Sequence, residues 1–212
     1  MVILMQFQKD FLSAIKFKFI FNYMRRQKTK ISLNDIPLVA VGTYVSLDKS
    51  VNGAKILIIK QLNRAFEYVL TIIENRKTLN KDIINEIISR LLINSINYNF
   101  LAENYIAFLN MINDIKWKQL SLFSFNETLA KIVIYIQENH LFNDFENMVT
   151  QFLCLTLPLF YKIPPMLFSV QEWKDLLVLV ENNDVPSIAK SLKNKQVEME
   201  NQIHSFAENN NG

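Results

Sequence analysis

The stretch that decides the fold is residues 124–161, SFNETLAKIVIYIQENHLFNDFENMVTQFLCLTLPLFY. In its first half, apolar side chains recur at the spacing of a helix with one buried face: Leu129, Ile132, Val133 and Ile136. Its second half is apolar almost throughout, which is typical of a helix surrounded by its neighbours. Because only a few residues join the two halves, we expect neighbouring helices at 125–139 and 144–161 in the centre of the fold.

Short polar signals mark where these central helices begin and end. Ser124 with Glu127 forms the pattern of a capping box, and Ser169 with Glu172 repeats it before a later helix. Pro158 lacks a backbone N–H, so we expect it to bend or interrupt the second helix.

The rest of the chain also favours helices, because it holds only three glycines and few other turn signals. A long helix is predicted over 54–77, another after Asn80 and a last one after Asp184. Residues 96–120 lose the helical spacing, which predicts a loop with short strands there. The fold class is therefore mainly α, with a short β-flap at about 96–120.

The chain is organised as one helical domain with an appendage. Residues 1–44 are predicted to form a helical segment packed on the core, in which Phe7, Phe11, Ala14, Ile15 and Lys18 follow helical spacing. A helix lying on a membrane surface is the alternative for this segment. The domain itself covers 45–204, and the polar tail 205–212 is predicted to fray.

Composition excludes several classes of functional site. The three glycines lie too far apart to form a phosphate-binding loop, and the two histidines, His140 and His204, lack the partners of a zinc site. Cys154 lies in an apolar run and is predicted to be a core residue, not a nucleophile.

Charge and cysteine usage bound the partners and the compartment. A net charge of +3 does not favour nucleic acid, and the basic cluster at 25–30 is interpreted as a solvated helix end. The N-terminal region contains no uncharged stretch of about 18 residues, so we expect no membrane span. With a single cysteine, a cytoplasmic location is predicted.

The connection between the central helices carries a recognisable motif. Residues 140–148 read HLFNDFENM, and Pro164-Pro165 closes the following helix. The order His140, any residue, Phe142, any residue, Asp144 resembles the start of the signature of Fic domains. That signature continues Gly-Asn-Gly-Arg and has a second arginine three residues later, where this chain has Gln151. The proline pair and the segment 61–69 also resemble the family, so the resemblance covers roughly residues 45–195.

The resemblance implies transfer of AMP from ATP, with Mg²⁺, to a hydroxyl group of a target protein. By this resemblance His140 is the general base, Asp144 the metal ligand and Phe142 the buried anchor of the loop. The nucleotide-binding positions 145–148 depart from the family, because Glu146 carries a negative charge and Met148 lacks a guanidinium. The resemblance therefore implies weak or altered activity.

Three interpretations of the sequence remain open. The first is a weak or altered AMP-transferase, and the second is a Fic-fold pseudoenzyme that binds a target protein or peptide through residues 96–120. The third is an unrelated helical interaction protein. No Ser or Thr is followed four residues later by Glu, as in the family's inhibitory helix. The resemblance then implies a separate antitoxin-like regulator, if the domain is restrained at all, and it leaves an oligomer open.

Overall fold

The computed structural model describes residues 9–43, 47–92 and 102–209. Across these ranges the chain forms nine α-helices and two 3₁₀-helices and no strand, which confirms the mainly-α fold class. The α-helices are α1 (Lys9–Arg26), α2 (Asp35–Val41), α3 (Gly53–Glu74), α4 (Lys81–Leu92), α5 (Ala102–Asp114), α6 (Leu122–Glu138), α7 (Glu146–Phe160), α8 (Val170–Glu181) and α9 (Val185–Asn209). The 3₁₀-helices are Trp117–Gln119 and Asn143–Phe145.

The described residues form two compact units. The N-terminal unit contains residues 9–43, 47–77 and 82–92, and the C-terminal unit contains residues 78–81 and 102–209. The predicted domain boundary falls beside residues 44–46, which lie outside the described ranges, so that boundary stays a prediction. The motif at 140–148 belongs to the C-terminal unit.

In the N-terminal unit, α1 packs on α2 and α3. Phe11 and Ile15 are buried as predicted, whereas Ala14 and Lys18 are exposed and Phe7 lies outside the described residues. The buried face of α1 continues through a further set of side chains: Phe19, Ile20, Tyr23 and Met24. Lys16 is also buried on α1, where its ammonium group pairs with the Glu67 carboxylate of α3.

The C-terminal unit is built around α6, which contacts α7, α8 and α9. The Asn126 side-chain amide donates to the Gln196 side-chain oxygen at 2.9 Å, and the Asn183 amide donates to Glu138 at 2.6 Å. These two contacts lie at opposite ends of α6, so α6 and α9 run antiparallel. Along α7 every side chain from 148 to 159 is buried, which confirms that this helix is central in its unit.

The predicted β-flap at 96–120 is wrong for the residues that the structure describes there. Residues 102–114 form α5, and residues 93–101 lie outside the described ranges. Tyr105, Phe108 and Ile112 are buried at helical spacing, so the segment does have one apolar face. Aromatic and β-branched residues, which favour strands, hide that spacing in the sequence.

The starts of α4, α8 and α9 agree with the sequence, and the start of α6 differs. Ser169 and Glu172 form the predicted capping box, and the Asp184 carboxylate accepts the Ser187 backbone N–H at the start of α9. The Ser124–Glu127 box is wrong, because α6 begins three residues earlier and Ser121 is its N-cap. Pro158 lies inside α7, which ends two residues later.

Among the described residues, five helices end on a residue with a left-handed backbone that is not glycine. These residues follow α1, α3, α6, α7 and α8, with φ between 46° and 58°: Lys28, Arg76, His140, Lys162 and Asn183. In each case the next N–H donates to the carbonyl five residues before it, which closes a Schellman motif. Of the described helices, α2 ends with a left-handed glycine, Gly42.

Two predictions concern the ends of the chain and its relation to a membrane. Helix α9 continues to Asn209, five residues into the tail that we expect to fray, and residues 210–212 lie outside the described ranges. Throughout the described ranges, no helix combines the length and apolar character needed to cross a membrane.

Candidate functional site

His140 lies at the corner where α6 ends. Its φ of 46° is left-handed, its N–H donates to the Gln137 carbonyl, and the Leu141 N–H donates to the Ile136 carbonyl. The imidazole is exposed, whereas Leu141 is buried. His140 therefore adopts the same backbone as the residues that end four other helices, so its strain is not by itself a sign of catalysis.

Phe142 is the residue that the resemblance implies to be the buried anchor of the loop. Its side chain is fully buried, and its ring meets the rings of Tyr105 and Phe108 edge to face at centroid distances of 6.1 and 6.2 Å. Both partners lie on α5, the helix that the sequence did not predict. The connection 139–145 is thus fixed by aromatic packing against a neighbouring helix.

Glu146 closes the loop from inside. The residue is 7% exposed, and its carboxylate accepts the Phe142 backbone N–H at 3.3 Å. Burial raises the pKa of the Glu146 carboxyl above its ordinary value, while the N–H groups of Phe142 and Glu146 itself and the His140 imidazole act against that rise. The Glu146 carboxylate, which is predicted to oppose a bound phosphate, therefore points toward the protein's own loop.

Replacing Glu146 should separate its hydrogen bond from its charge. Glu146→Ala leaves the buried Phe142 N–H without its acceptor, so we expect a loss of about 1–3 kcal/mol in the free energy of unfolding. Glu146→Gln keeps an acceptor oxygen and removes the buried charge, so it should be at least as stable as the parent at pH about 7.5. Urea unfolding followed by tryptophan fluorescence measures both values.

Comparing the parent with Glu146→Gln tests how the contribution of Glu146 to stability depends on pH. A carboxyl whose pKa is raised in the folded state binds its proton more tightly there than in the unfolded chain. The parent should therefore gain stability relative to Glu146→Gln as the pH falls toward the ordinary glutamate value of about 4.3. A relative loss on acidification would mean that the folded protein stabilises the ionised carboxylate.

Asp144 lies in the 3₁₀-helix between Phe142 and Glu146, and its side chain is exposed. The charges of both Asp144 and His140 act on the Glu146 carboxyl, so all three groups share one corner of the C-terminal unit. Neither at this corner nor anywhere else in the described ranges do three or more His, Cys, Asp or Glu side chains form a group that could hold a metal ion. The roles of His140 as base and Asp144 as Mg²⁺ ligand stay predictions.

The two positions at which the family has arginines are buried in this structure. Met148 is 1% exposed and Gln151 is 3% exposed, and the Gln151 amide donates to the Asn147 carbonyl at 2.9 Å. Both side chains therefore belong to the core and hydrogen-bonding pattern of α7. The resemblance predicts that Met148 stands where a phosphate-binding guanidinium is missing, whereas its side chain lies in the core. The sequence of a helix buried on nearly all sides does not reveal which side chains face a loop.

Asn147 and Cys154 are further residues of α7 with clear surroundings. The Asn147 side-chain oxygen accepts the Trp173 indole N–H at 3.1 Å, which joins the start of α7 to α8. Cys154 is fully buried, and burial raises the pKa of its thiol to about 12. A thiol in that state is not a nucleophile near neutral pH, in agreement with the predicted core position.

The N-terminus of α7 does not fit ATP with Mg²⁺ as it stands. A triphosphate binds at a helix start through free N–H groups and nearby cations. Here the Glu146 carboxylate occupies that end of the helix, and residues 140–151 contain no Lys or Arg. A nucleotide would have to displace a buried carboxylate and would find no cation in this segment.

Comparison with known proteins adds no relative. A scan against protein-family models finds no match, and searches of curated proteins and of solved structures find none.

Proposed function

We propose that this chain is a Fic-like helical domain without AMP-transferase activity, which acts by binding a protein partner. The observation that carries the proposal is the position of Glu146 at the start of α7. Its buried carboxylate accepts the Phe142 N–H, so the loop supplies its own anion where the family binds a phosphate.

Two further observations support the loss of transfer activity. Met148 and Gln151, at the arginine positions of the family, are buried side chains of the core. In addition, the carboxylate of Glu146 would repel a triphosphate at close range, by roughly 4 kcal/mol at 4 Å before screening by salt. Each of these features opposes nucleotide binding on its own.

Binding of a partner is supported by the apolar side chains that remain on the surface. Val41 is 73% exposed in the N-terminal unit, and Phe123 is 64% exposed next to Leu122 in the C-terminal unit. Exposure of adjacent apolar side chains of this size to water is unfavourable, so covering them with a partner lowers the free energy.

Calorimetric titration with ATP and Mg²⁺ tests the proposal directly. We expect a dissociation constant weaker than about 0.1 mM, because binding must displace Glu146 and finds no compensating cation. Incubation with radiolabelled ATP should transfer no AMP to the protein itself or to added protein hydroxyl groups. The parent and His140→Ala should be indistinguishable in both measurements.

The second candidate is a weak AMP-transferase, which the exposure of both His140 and Asp144 on one corner favours. Under this candidate, ATP binds in the low micromolar range and labelling disappears in His140→Ala while binding persists. That pair of results would replace the non-catalytic proposal, whereas labelling that survives His140→Ala would come from another residue.

A further inference from the structure

The N-terminal unit contains a strongly one-sided charge distribution. Between Asp10 and Asp35 the chain has six lysines and arginines and no acidic residue, although the whole protein is nearly balanced at 23 basic to 20 acidic residues. Four of the six cations lie within residues 25–30, at the end of α1 and in the turn that follows it. The sequence alone predicts that this cluster is a solvated helix end, and the structure shows that several of its residues line a hollow.

Residues of the cluster line an open hollow with a volume of about 820 Å³, here called the basic hollow. Its cations are Arg25, Lys28 and Lys30, and its apolar lining comes from three further side chains, Phe21, Ile31 and Leu33. The left-handed backbone of Lys28 turns the chain at the end of α1, which brings residues 30–33 back beside Phe21 and Arg25. A volume of this size accommodates several side chains of a ligand.

The three cations of the basic hollow are available to a ligand. Arg25, Lys28 and Lys30 are exposed, and the described residues provide none of them with an ion pair. Hydrogen bonds from Ser50 and, to a smaller extent, the charge of Lys30 lower the pKa of the Asp48 carboxyl. The Asp48 carboxylate already accepts the Ser50 N–H at 2.8 Å. Asp35 is likewise engaged by the Ser32 N–H at 3.3 Å.

Arg26, which follows Arg25 at the end of α1, carries a further positive charge of the cluster. Its three guanidinium nitrogens are buried and have no hydrogen-bond acceptor among the described residues, and burial lowers the pKa of this group to about 10. The guanidinium lies 6.0 Å from the centre of the Tyr23 ring.

We propose that the basic hollow binds an acidic segment of a partner protein in which large apolar side chains alternate with carboxylates. Carboxylates match the three exposed cations, and an apolar side chain matches the lining formed by Phe21, Ile31 and Leu33. A concave surface suits a peptide better than a flat membrane, which would need protruding apolar side chains. The inference rests on the proposed function only in taking the ligand to be a protein.

The test measures the fluorescence anisotropy of a fluorescein-labelled peptide of about twelve residues that repeats Glu-Glu-Phe. We expect binding by the full chain in the micromolar range, weakening as salt rises from about 50 to 200 mM because the exposed charges are screened. A peptide with serine in place of each phenylalanine should bind about tenfold more weakly, since it leaves the apolar lining uncovered.

The decisive variant is Arg25→Gln with Lys28→Asn and Lys30→Gln, in which asparagine tolerates the left-handed backbone at position 28. It should bind the acidic peptide about tenfold or more weakly. The matched control changes three exposed lysines of the C-terminal unit to glutamine, at Lys174, Lys190 and Lys193, and should bind within about twofold of the parent. Circular dichroism establishes that both variants are folded.

Three results would overturn the inference. They are no binding of the acidic peptide by the parent, equal loss of binding in both triple variants, and binding to phosphatidylserine vesicles without binding to the peptide. The last result would assign the basic hollow to a membrane surface. The ATP titration is independent of these measurements, so a failed peptide experiment would leave the non-catalytic proposal standing.

Discussion

Replacing Phe142 with alanine is expected to lower the free energy of unfolding of the C-terminal unit by about 3–5 kcal/mol. The Phe142 side chain is fully buried, and its ring is held by edge contacts with Tyr105 and Phe108. Alanine would leave a cavity at the junction of α5 with the loop. Trp117 and Trp173 both belong to this unit, so urea unfolding followed by tryptophan fluorescence reports on it directly.

Phe123→Ala is the matched control for this measurement. It removes the same side chain from the same unit at a position that is 64% exposed, so the change should stay within about 0.5 kcal/mol. If Phe142→Ala costs less than about 1 kcal/mol, the loop 139–145 rearranges easily and Phe142 is not its anchor.

Introducing at position 148 the arginine that Fic domains have there should destabilise the protein instead of creating a phosphate site. Met148 is 1% exposed within α7, so Met148→Arg places a guanidinium in the core without a counter-charge. We expect a loss of about 3–5 kcal/mol, or failure to fold, because an unpaired buried charge is one of the most costly substitutions. If residue 148 instead faced a nucleotide cleft, the arginine would cost little and would increase ATP affinity.

Two controls keep this prediction interpretable. Met148→Leu preserves an apolar side chain of similar volume and should cost less than about 1.5 kcal/mol. Val178→Arg introduces the same cation on α8 at a position that is 55% exposed, so it should change stability by no more than about 0.5 kcal/mol. Equal effects of the two arginine substitutions would contradict the buried position of Met148.

Helices with a regular apolar spacing could be predicted from the sequence, and the structure confirms several of them. The stripe at 129–136 in α6 lies on the buried face of that helix, and the capping box of Ser169 with Glu172 starts α8. Helix α5 was missed because Tyr105, Phe108 and Ile112 combine helical spacing with residue types that favour strands. Local propensity was misleading where packing against Phe142 determines the structure.

The candidate site was predictable only in part. The resemblance to Fic domains implies a buried side chain at Phe142, and in the structure that side chain is fully buried. The direction of the Glu146 carboxylate could not be read in the same way, because a charged residue at a helix start is ordinarily expected to face water. Only the hydrogen bond to the Phe142 N–H shows that Glu146 turns inward.

The left-handed residues at the helix ends have a consequence for how this protein tolerates mutation. Five helices end with a side chain where glycine would relieve a strained backbone, and three of these residues are Lys28, Arg76 and Lys162. At such positions glycine, which ordinarily weakens a fold, is the favourable substitution, while β-branched residues are the most harmful. At these helix ends the usual ranking of substitutions is therefore reversed. Single changes to glycine there would raise the stability of the protein.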